Sequence, residues 1–476
     1  MSTHSLEEIL HPQSIAVVGA SNNPDSRGYS YARHILSYGY QGKIYLVNPR
    51  YPEILGLKAY PNLKDIPGSV DFVISCVPAA AVPSMLDECS QKNVKAVHLF
   101  TGRFSETGHK EDADLEKEVL GKARKWGIRI IGPNCMGLYY PREGISFAYN
   151  LPKEPGIVGM AAQTGGGSAH CVDLASLRGI RFSKVISYGN AIDLNECDYL
   201  DYFSQDPETK IILMYIEGVK DGKRFLTSLR RAASTKPVIV VKGGRGESGG
   251  RSIASHTGSL AGSMKVWETL VAQVGAISAQ DMDEMVDLAG SFYFLPLMRG
   301  PRVGIVGGGG GASVLAADQC EEAGLEVIPL PEEIREELKS KGNPIWDWVG
   351  NPADTSIMGG FDVSTNNVLE MMARNENFDL LIGNIFDYSL MAREEVTSRI
   401  ENNVEGYIKV RKETSKPLMV VVGEKSPGIE NYEDVRWRVM SEARTNLISA
   451  NIPIYSSIGR AARAARKLID YYKNRS

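Results

Sequence analysis

Three times along this chain, an apolar run of strand length passes through a glycine-containing turn into a helical pattern. Ser14-Ile-Ala-Val-Val18 leads to Gly19 and Gly28, Gly156-Ile-Val-Gly-Met-Ala161 to Gln163-Thr-Gly-Gly-Gly-Ser168, and Pro301-Arg-Val-Gly-Ile-Val306 to Gly307-Gly-Gly-Gly-Gly311. Short apolar runs without alternation suit parallel strands covered on both faces, and strands alternating with helices build doubly wound sheets. Further runs at 43–47, 71–77, 94–100 and 128–131 follow the first one, with helix-length segments between them. A length of 476 residues is that of about three domains. The expectation is an α/β chain with a Rossmann-like domain over residues 1–145 and two flavodoxin-like doubly wound domains over 150–295 and 298–476. Leu151-Pro-Lys-Glu-Pro155 reads as the first linker. The last two domains also share a Lys-Pro-led strand, Lys236-Pro-Val-Ile-Val-Val-Lys-Gly243 and Lys416-Pro-Leu-Met-Val-Val-Val-Gly423, and the third carries extra residues around 346–367.

Composition narrows the function classes. With 43% apolar and 23% charged residues and a formal net charge of -4, nothing favours nucleic acid or an anionic membrane as partner. No run approaches the roughly 18 apolar residues of a spanning helix. The start, Met1-Ser-Thr-His-Ser-Leu-Glu-Glu8, lacks the basic and apolar regions of a signal peptide. The six cysteines are scattered without C-x-x-C spacing, which argues against a zinc site or disulfide framework and fits a reducing cytoplasm.

A strand entering a helix through glycine places backbone N–H donors and a helix dipole at one point, so each turn is a candidate anion site. The first turn has only Gly19 and Gly28, with Ser21 and Asn22 between, and the second strand ends in Asn48-Pro49 where an NAD-binding domain usually places an acidic residue. A nucleotide-containing ligand other than NAD is favoured. The second turn is no P-loop, since no Gly-Lys-Ser/Thr follows it. Glu217 lies at the carboxyl end of the run Ile211-Ile-Leu-Met-Tyr215, the edge where active sites gather in such sheets. The stretch from Gly243 to Gly262 is rich in glycine around its single histidine, His256, with Arg245 and Arg251 upstream. Such backbone is costly to order and easy to move, which suits a histidine carried between places.

Several of these motifs, taken in order, resemble the α subunit of the NDP-forming acyl-CoA synthetases, the superfamily that includes succinyl-CoA synthetase, and most closely its ADP-forming acetate–CoA ligase group. They are Val17-Val-Gly-Ala-Ser21, Gly132-Pro-Asn-Cys135, Gln163-Thr-Gly165, Ser187-Tyr-Gly-Asn190 with Asp193, Tyr215-Ile-Glu-Gly218 and Ser255-His-Thr-Gly258. The resemblance implies that the first domain binds CoA through Gly19, Ala20, Ser21, Asn48, Pro49, Val77 and Pro78. It implies His256 as the residue that becomes phosphohistidine and Glu217 as its carboxylate partner. Thr164, Gly165 and Gly166, with Gly309 and Gly310 in the third domain, would supply N–H donors to phosphate; no metal ligand is implied on this chain. ADP or ATP and Mg2+ are expected on a separate ATP-grasp β subunit in an α2β2 assembly, with a small carboxylic acid or its acyl-CoA as substrate. The alternatives are a CoA-binding regulatory or scaffold protein without turnover, and an NAD-dependent oxidoreductase, which Asn48-Pro49 disfavours.

Two places depart from the family pattern. Arg103 stands near the expected acyl site, where a cation either favours a polar or carboxylate-bearing acyl chain or points to solvent. Five consecutive glycines at 307–311 replace a more usual Asn-Ala-Gly-Gly. His4, His11, His34, His98, His109 and His170 fall outside the motifs and read as surface or core residues, and Cys135 as a small packing residue.

Overall fold

The structure is a computed structural model that describes residues 4–249, 264–354, 364–385, 393–423 and 435–475. His256 and its neighbours Ser255, Thr257 and Gly258 lie outside the described residues. Two compact units are present: residues 1–176 with 180–285, and residues 177–179 with 286–476.

The first unit holds two sheets. One contains β1 (Ser14–Val18), β2 (Lys43–Val47), β3 (Glu53–Ile54), β4 (Leu57–Tyr60), β5 (Phe72–Ser75), β6 (Ala96–Leu99) and β7 (Arg129–Ile131), in the order β3-β4-β2-β1-β5-β6-β7. All pairs are parallel except β3 with β4. Every residue of β1 is buried, as a central strand with both faces covered requires. The chain leaves β1 for β2 on one side and returns to β5 on the other, so β1 and β5 flank the switch point where such sheets bind ligands. Register puts Val18 opposite both Val47 and Ser75, which brings the three strand ends level. The helix after β1 runs over Arg27–Tyr38, and Ser26 caps it by accepting from Tyr29 N.

The second sheet contains β8 (Gly137–Tyr139), β9 (Val158–Ala162), β10 (Phe182–Ser187), β11 (Ile211–Ile216), β12 (Val238–Lys242) and β13 (Ile277–Ala279), in the order β13-β12-β11-β9-β10-β8. Its five parallel strands follow the flavodoxin order, and β8 adds an antiparallel edge to β10. Residues 137–139, assigned from sequence to the first domain, therefore pair with the sheet of the second. β10 is hard to see in the sequence because Lys184 interrupts it. That lysine is fully buried, with Nζ 2.9 Å from Asp206 Oδ2, 2.6 Å from Glu208 Oε2 and 4.5 Å from the centre of the Tyr140 ring. Two carboxylates and an aromatic face replace the water the ammonium gives up.

In the second unit, β14 (Val303–Val306), β15 (Leu380–Ile385), β16 (Leu418–Val422) and β17 (Ile454–Tyr455) form a parallel sheet in that order. On the free side of β14, single parallel bridges join Arg302 to Glu326 and Val306 to Ala353. They occupy the place that the second strand holds in the flavodoxin order, so this unit repeats the arrangement with one strand reduced to bridges. Ala353, within the extra residues expected around 346–367, supplies part of that edge.

Candidate active site

Three turns are tied together along the carboxyl edge of the first sheet. Gly19 N donates to Val47 O at 3.0 Å, Asn48 Nδ2 to Ala20 O at 2.6 Å, and Cys76 N to Val18 O at 2.8 Å. Gly19, Ala20, Ser21, Asn48, Pro49, Val77 and Pro78 are thereby brought to one edge. Gly19 needs its glycine, with φ at +85° and the end of β5 at 3.0 Å from where a Cβ would stand. Asn48 has a different part from an acidic ribose ligand: its Oδ1 accepts from Arg50 N at 2.8 Å while its Nδ2 holds Ala20, so the side chain shapes the turn. Thr101 Oγ1 donates to Val77 O at 2.5 Å and extends the edge to β6.

The second sheet presents its own carboxyl edge. Gln163 follows β9, and its side-chain Oε1 accepts from Glu217 N and from Gly218 N, the latter at 2.9 Å. Thr164 Oγ1 accepts from Gly167 N at 3.2 Å, shaping the first turn of the helix Gly165–Ser176. Gly165 packs on Met136, whose Cγ lies 2.8 Å from where a Cβ would stand, whereas the Cβ position of Gly166 is open for 4 Å. Thr164, Gly165, Gly166 and Glu217 thus share one edge. Glu217 is 7% exposed. Tyr215 lies beside it and has its phenol pushed up to about 12 by burial and by the neighbouring carboxylate.

The two edges are joined by the remaining motifs. Asn190 N donates to Pro133 O at 3.0 Å, Met136 N to Ser187 Oγ at 3.1 Å, and Asn190 Nδ2 to Glu106 Oε2 at 2.7 Å. Asp193 accepts from Arg129 Nε at 2.8 Å and from Ile130 N at 2.9 Å. Gly189 presses so closely on this region that a Cβ would stand 2.2 Å from Pro133 O. Glu106 also accepts from Arg103 N at 2.6 Å, and Arg103 is exposed with φ at +72°. Of the two readings of Arg103, its exposure matches the one that points it to solvent. Cys135 is buried and its thiol is pushed far up by burial, as a packing residue's should be.

Two residues of this region escaped the sequence reading. Gln163 was seen as part of a motif but given no task, although its carbonyl holds the Glu217 turn. Lys242 closes β12 at 6% exposure, with Nζ 2.7 Å from Glu217 O and 2.6 Å from Gly243 O. Its only sequence signal is a lysine at the end of an apolar strand, which ordinarily marks an exit to solvent. Gly309 and Gly310 lie in the other unit, at the start of the helix Gly310–Glu322, where Asp354 Oδ2 comes within 3.3 Å of the Cβ position of Gly310. Among the described residues, no group of three or more His, Cys, Asp or Glu side chains is placed to hold a metal ion. Nor is any described helix long and apolar enough to cross a membrane.

Residues 13–141 match the model of a CoA binding domain, and residues 155–292 that of the succinyl-CoA ligase like flavodoxin domain. Over 472 residues the chain is 37% identical to the subunit alpha of ADP-forming acetate–CoA ligase II from Pyrococcus furiosus, with 98% of each chain covered. The chain belongs to this family of ADP-forming acetate–CoA ligase α subunits. The subunit alpha of ligase I from the same organism is 35% identical over 479 residues, again covering 98% of each. Among solved structures, acetyl-coenzyme A synthetase 1 of Ca. Korarchaeum cryptofilum, in complex with phosphate and ADP, matches with a TM-score of 0.81 at 31% identity, over 99% of this chain and 97% of that one. As a family member the chain is an acid–thiol ligase component that uses CoA and a nucleotide.

Proposed function

We propose that this chain, joined to an ATP-grasp β subunit in an α2β2 assembly, interconverts acyl-CoA, ADP and phosphate with a small carboxylic acid, CoA and ATP. CoA is bound by residues 1–145, phosphoryl chemistry is carried by 150–295, and 298–476 supplies the second flavodoxin-like domain. The nucleotide and Mg2+ belong to the β subunit. The six cysteines, all free, support a reducing cytoplasm as its setting. The observation that carries the reading is the joining of the CoA edge and the Gln163–Glu217 edge through Pro133, Ser187 and Asn190. A thioester held at the first edge then has phosphate donors at the second.

Phosphate attack on the thioester expels the CoA thiolate and forms an acyl phosphate. Charge developing on oxygen is met by N–H groups at the start of the helix Gly165–Ser176. A neutral ring nitrogen of His256 next attacks phosphorus; the N–P bond forms as the acyl O–P bond breaks, and the carboxylate leaves. Glu217 accepts a hydrogen bond from the other ring nitrogen, which fixes the tautomer and stabilises the positive charge on the phosphoimidazole. The phosphoryl group then passes to ADP on the partner.

His256→Ala in the assembled complex tests this. It abolishes net ATP synthesis and the acid-labile, base-stable label left by radioactive phosphate, while CoA binding persists. Full turnover by the variant refutes the relay, and a wild-type complex that binds CoA but never labels favours the scaffold alternative.

A further inference from the structure

Lys242 is the one buried cation on the carboxyl edge of the second sheet, among the described residues, that the mechanism above leaves without a task. Burying an ammonium is unfavourable, and a methionine would fill similar space without that cost. The geometry gives the charge a purpose. Nζ donates to the carbonyl of Glu217 at 2.7 Å and to that of Gly243 at 2.6 Å. From the other side, Gln163 Oε1 takes the N–H of Glu217. The peptide groups on both sides of the Glu217 side chain are therefore gripped, their N–H groups by a neutral carboxamide and the Glu217 carbonyl by a cation.

Gly243 brings the glycine-rich stretch into the same contact. A Cβ there would stand 2.7 Å from Tyr215 Oη and 3.3 Å from Glu217 Cγ, so the chain leaving β12 runs directly against the stem of the carboxylate. Lys242 is thus bonded both to the turn that bears Glu217 and to the first residue of the segment that leads to His256.

We propose that Lys242 is a positioning residue for phosphoryl transfer: its ammonium ties the Glu217 turn to the root of the glycine-rich stretch and sets the field in which Glu217 works. The inference rests on the roles given above to Glu217 and His256. Burial lowers the pKa of Lys242 and the Glu217 carboxylate opposes that, so each feels the other's charge. Glu217 also acts on two phenols: Tyr215 on β11, raised by burial and by that carboxylate, and Tyr188 just after β10, raised by burial and then by Glu196, with Glu217 a smaller contributor. Neither phenol is charged at neutral pH, whereas the ammonium of Lys242 is, and it is coupled to Glu217.

Removing a positive charge raises the pKa of every neighbouring acid or base, whether Glu217 or the ring of His256. The test is the rate of acid-labile phosphate labelling against pH, using the full chain with its β subunit, for wild type, Lys242→Met and Lys242→Gln. Both variants label at least about tenfold more slowly at neutral pH, and the acid limb of the profile moves up by about one pH unit. CoA affinity, measured by titration calorimetry, stays at the wild-type value. Combining Lys242→Met with Glu217→Gln slows labelling no further than the slower single variant. A limb that stays in place in both variants, or rate losses that multiply in the double variant, overturns the proposal. If the wild-type complex itself never labels, the reading of Glu217 and His256 fails instead.

Discussion

Gly28 offers the sharpest test of how this chain holds CoA. It lies in the first turn of the helix Arg27–Tyr38, and a Cβ there would stand 1.8 Å from Gly19 O, 2.7 Å from Gly19 C and 3.1 Å from Ala20 Cα. Ordinary contact begins at 3.4 Å, so in Gly28→Ala the turn must retreat by about 1.6 Å. All three opposing atoms are backbone, and the Cβ position of Gly19 already sits 3.0 Å from the carbonyl carbon of Cys76 on its far side. Retreat therefore forces the helix, the turn or the end of β5 out of place. Overpacking of this kind costs about 1–3 kcal/mol of stability, and a displacement above 1 Å weakens a positioned contact about 100-fold, or about 2.7 kcal/mol. Calorimetric titration of CoA into wild type and Gly28→Ala is expected to show that loss, with thermal unfolding recorded alongside. Gly121→Ala is the control: it lies within the helix Lys110–Trp126, with nothing within 4 Å of its Cβ position. It should bind CoA unchanged and gain about 0.5–1 kcal/mol of stability. Gly28→Ala binding CoA within twofold of wild type, on a folded protein, refutes the argument that this contact shapes the CoA edge.

Two further outcomes are expected. Glu217→Gln lowers the rate of phosphohistidine formation by up to about 10⁴-fold while CoA affinity is retained, and unchanged labelling kinetics count against its role. His98 makes stability depend on acid. It is 1% exposed, its Nε2 lies 3.0 Å from Cys135 O, and burial holds its pKa down at about 4 against 6.5 in the unfolded chain. Between those values the unfolded chain takes up a proton that the folded one refuses, so stability is full above pH 6.5 and falls by about 3 kcal/mol on going to pH 4. Urea titrations across that window measure the slope, and a flat line there contradicts the assigned burial.

The strands that were easy to read are those whose apolar run is unbroken. β1, β2, β12, β14 and β16 fall within the runs at 14–18, 43–47, 236–243, 301–306 and 416–423. β10 was harder, because a charged residue at its centre looks like a surface position until Asp206, Glu208 and Tyr140 are seen around it. β8, expected within residues 1–145, pairs with the second sheet, and three residues carry no signal of which sheet they will join. Asn48 is expected at the ligand; that its amide also ties the turn, with Nδ2 on Ala20 O and Oδ1 on Arg50 N, shows only in the fold.

Order along the chain, glycine at the turns and the ordered motifs are local properties, and they sufficed to name a doubly wound α/β chain of this family. They also marked Gly19, Thr164 and Glu217 as places where backbone donors or a carboxylate end a strand. What required the third dimension was which turns meet. Hydrogen bonds from Asn190 to Pro133 and Glu106 span more than 50 residues of sequence, and no periodicity encodes them. The same holds for the ammonium of Lys242 beneath Glu217: whether a lysine at a strand end reaches water or a neighbouring carbonyl is decided by what packs over it, and only the folded sheet decides that.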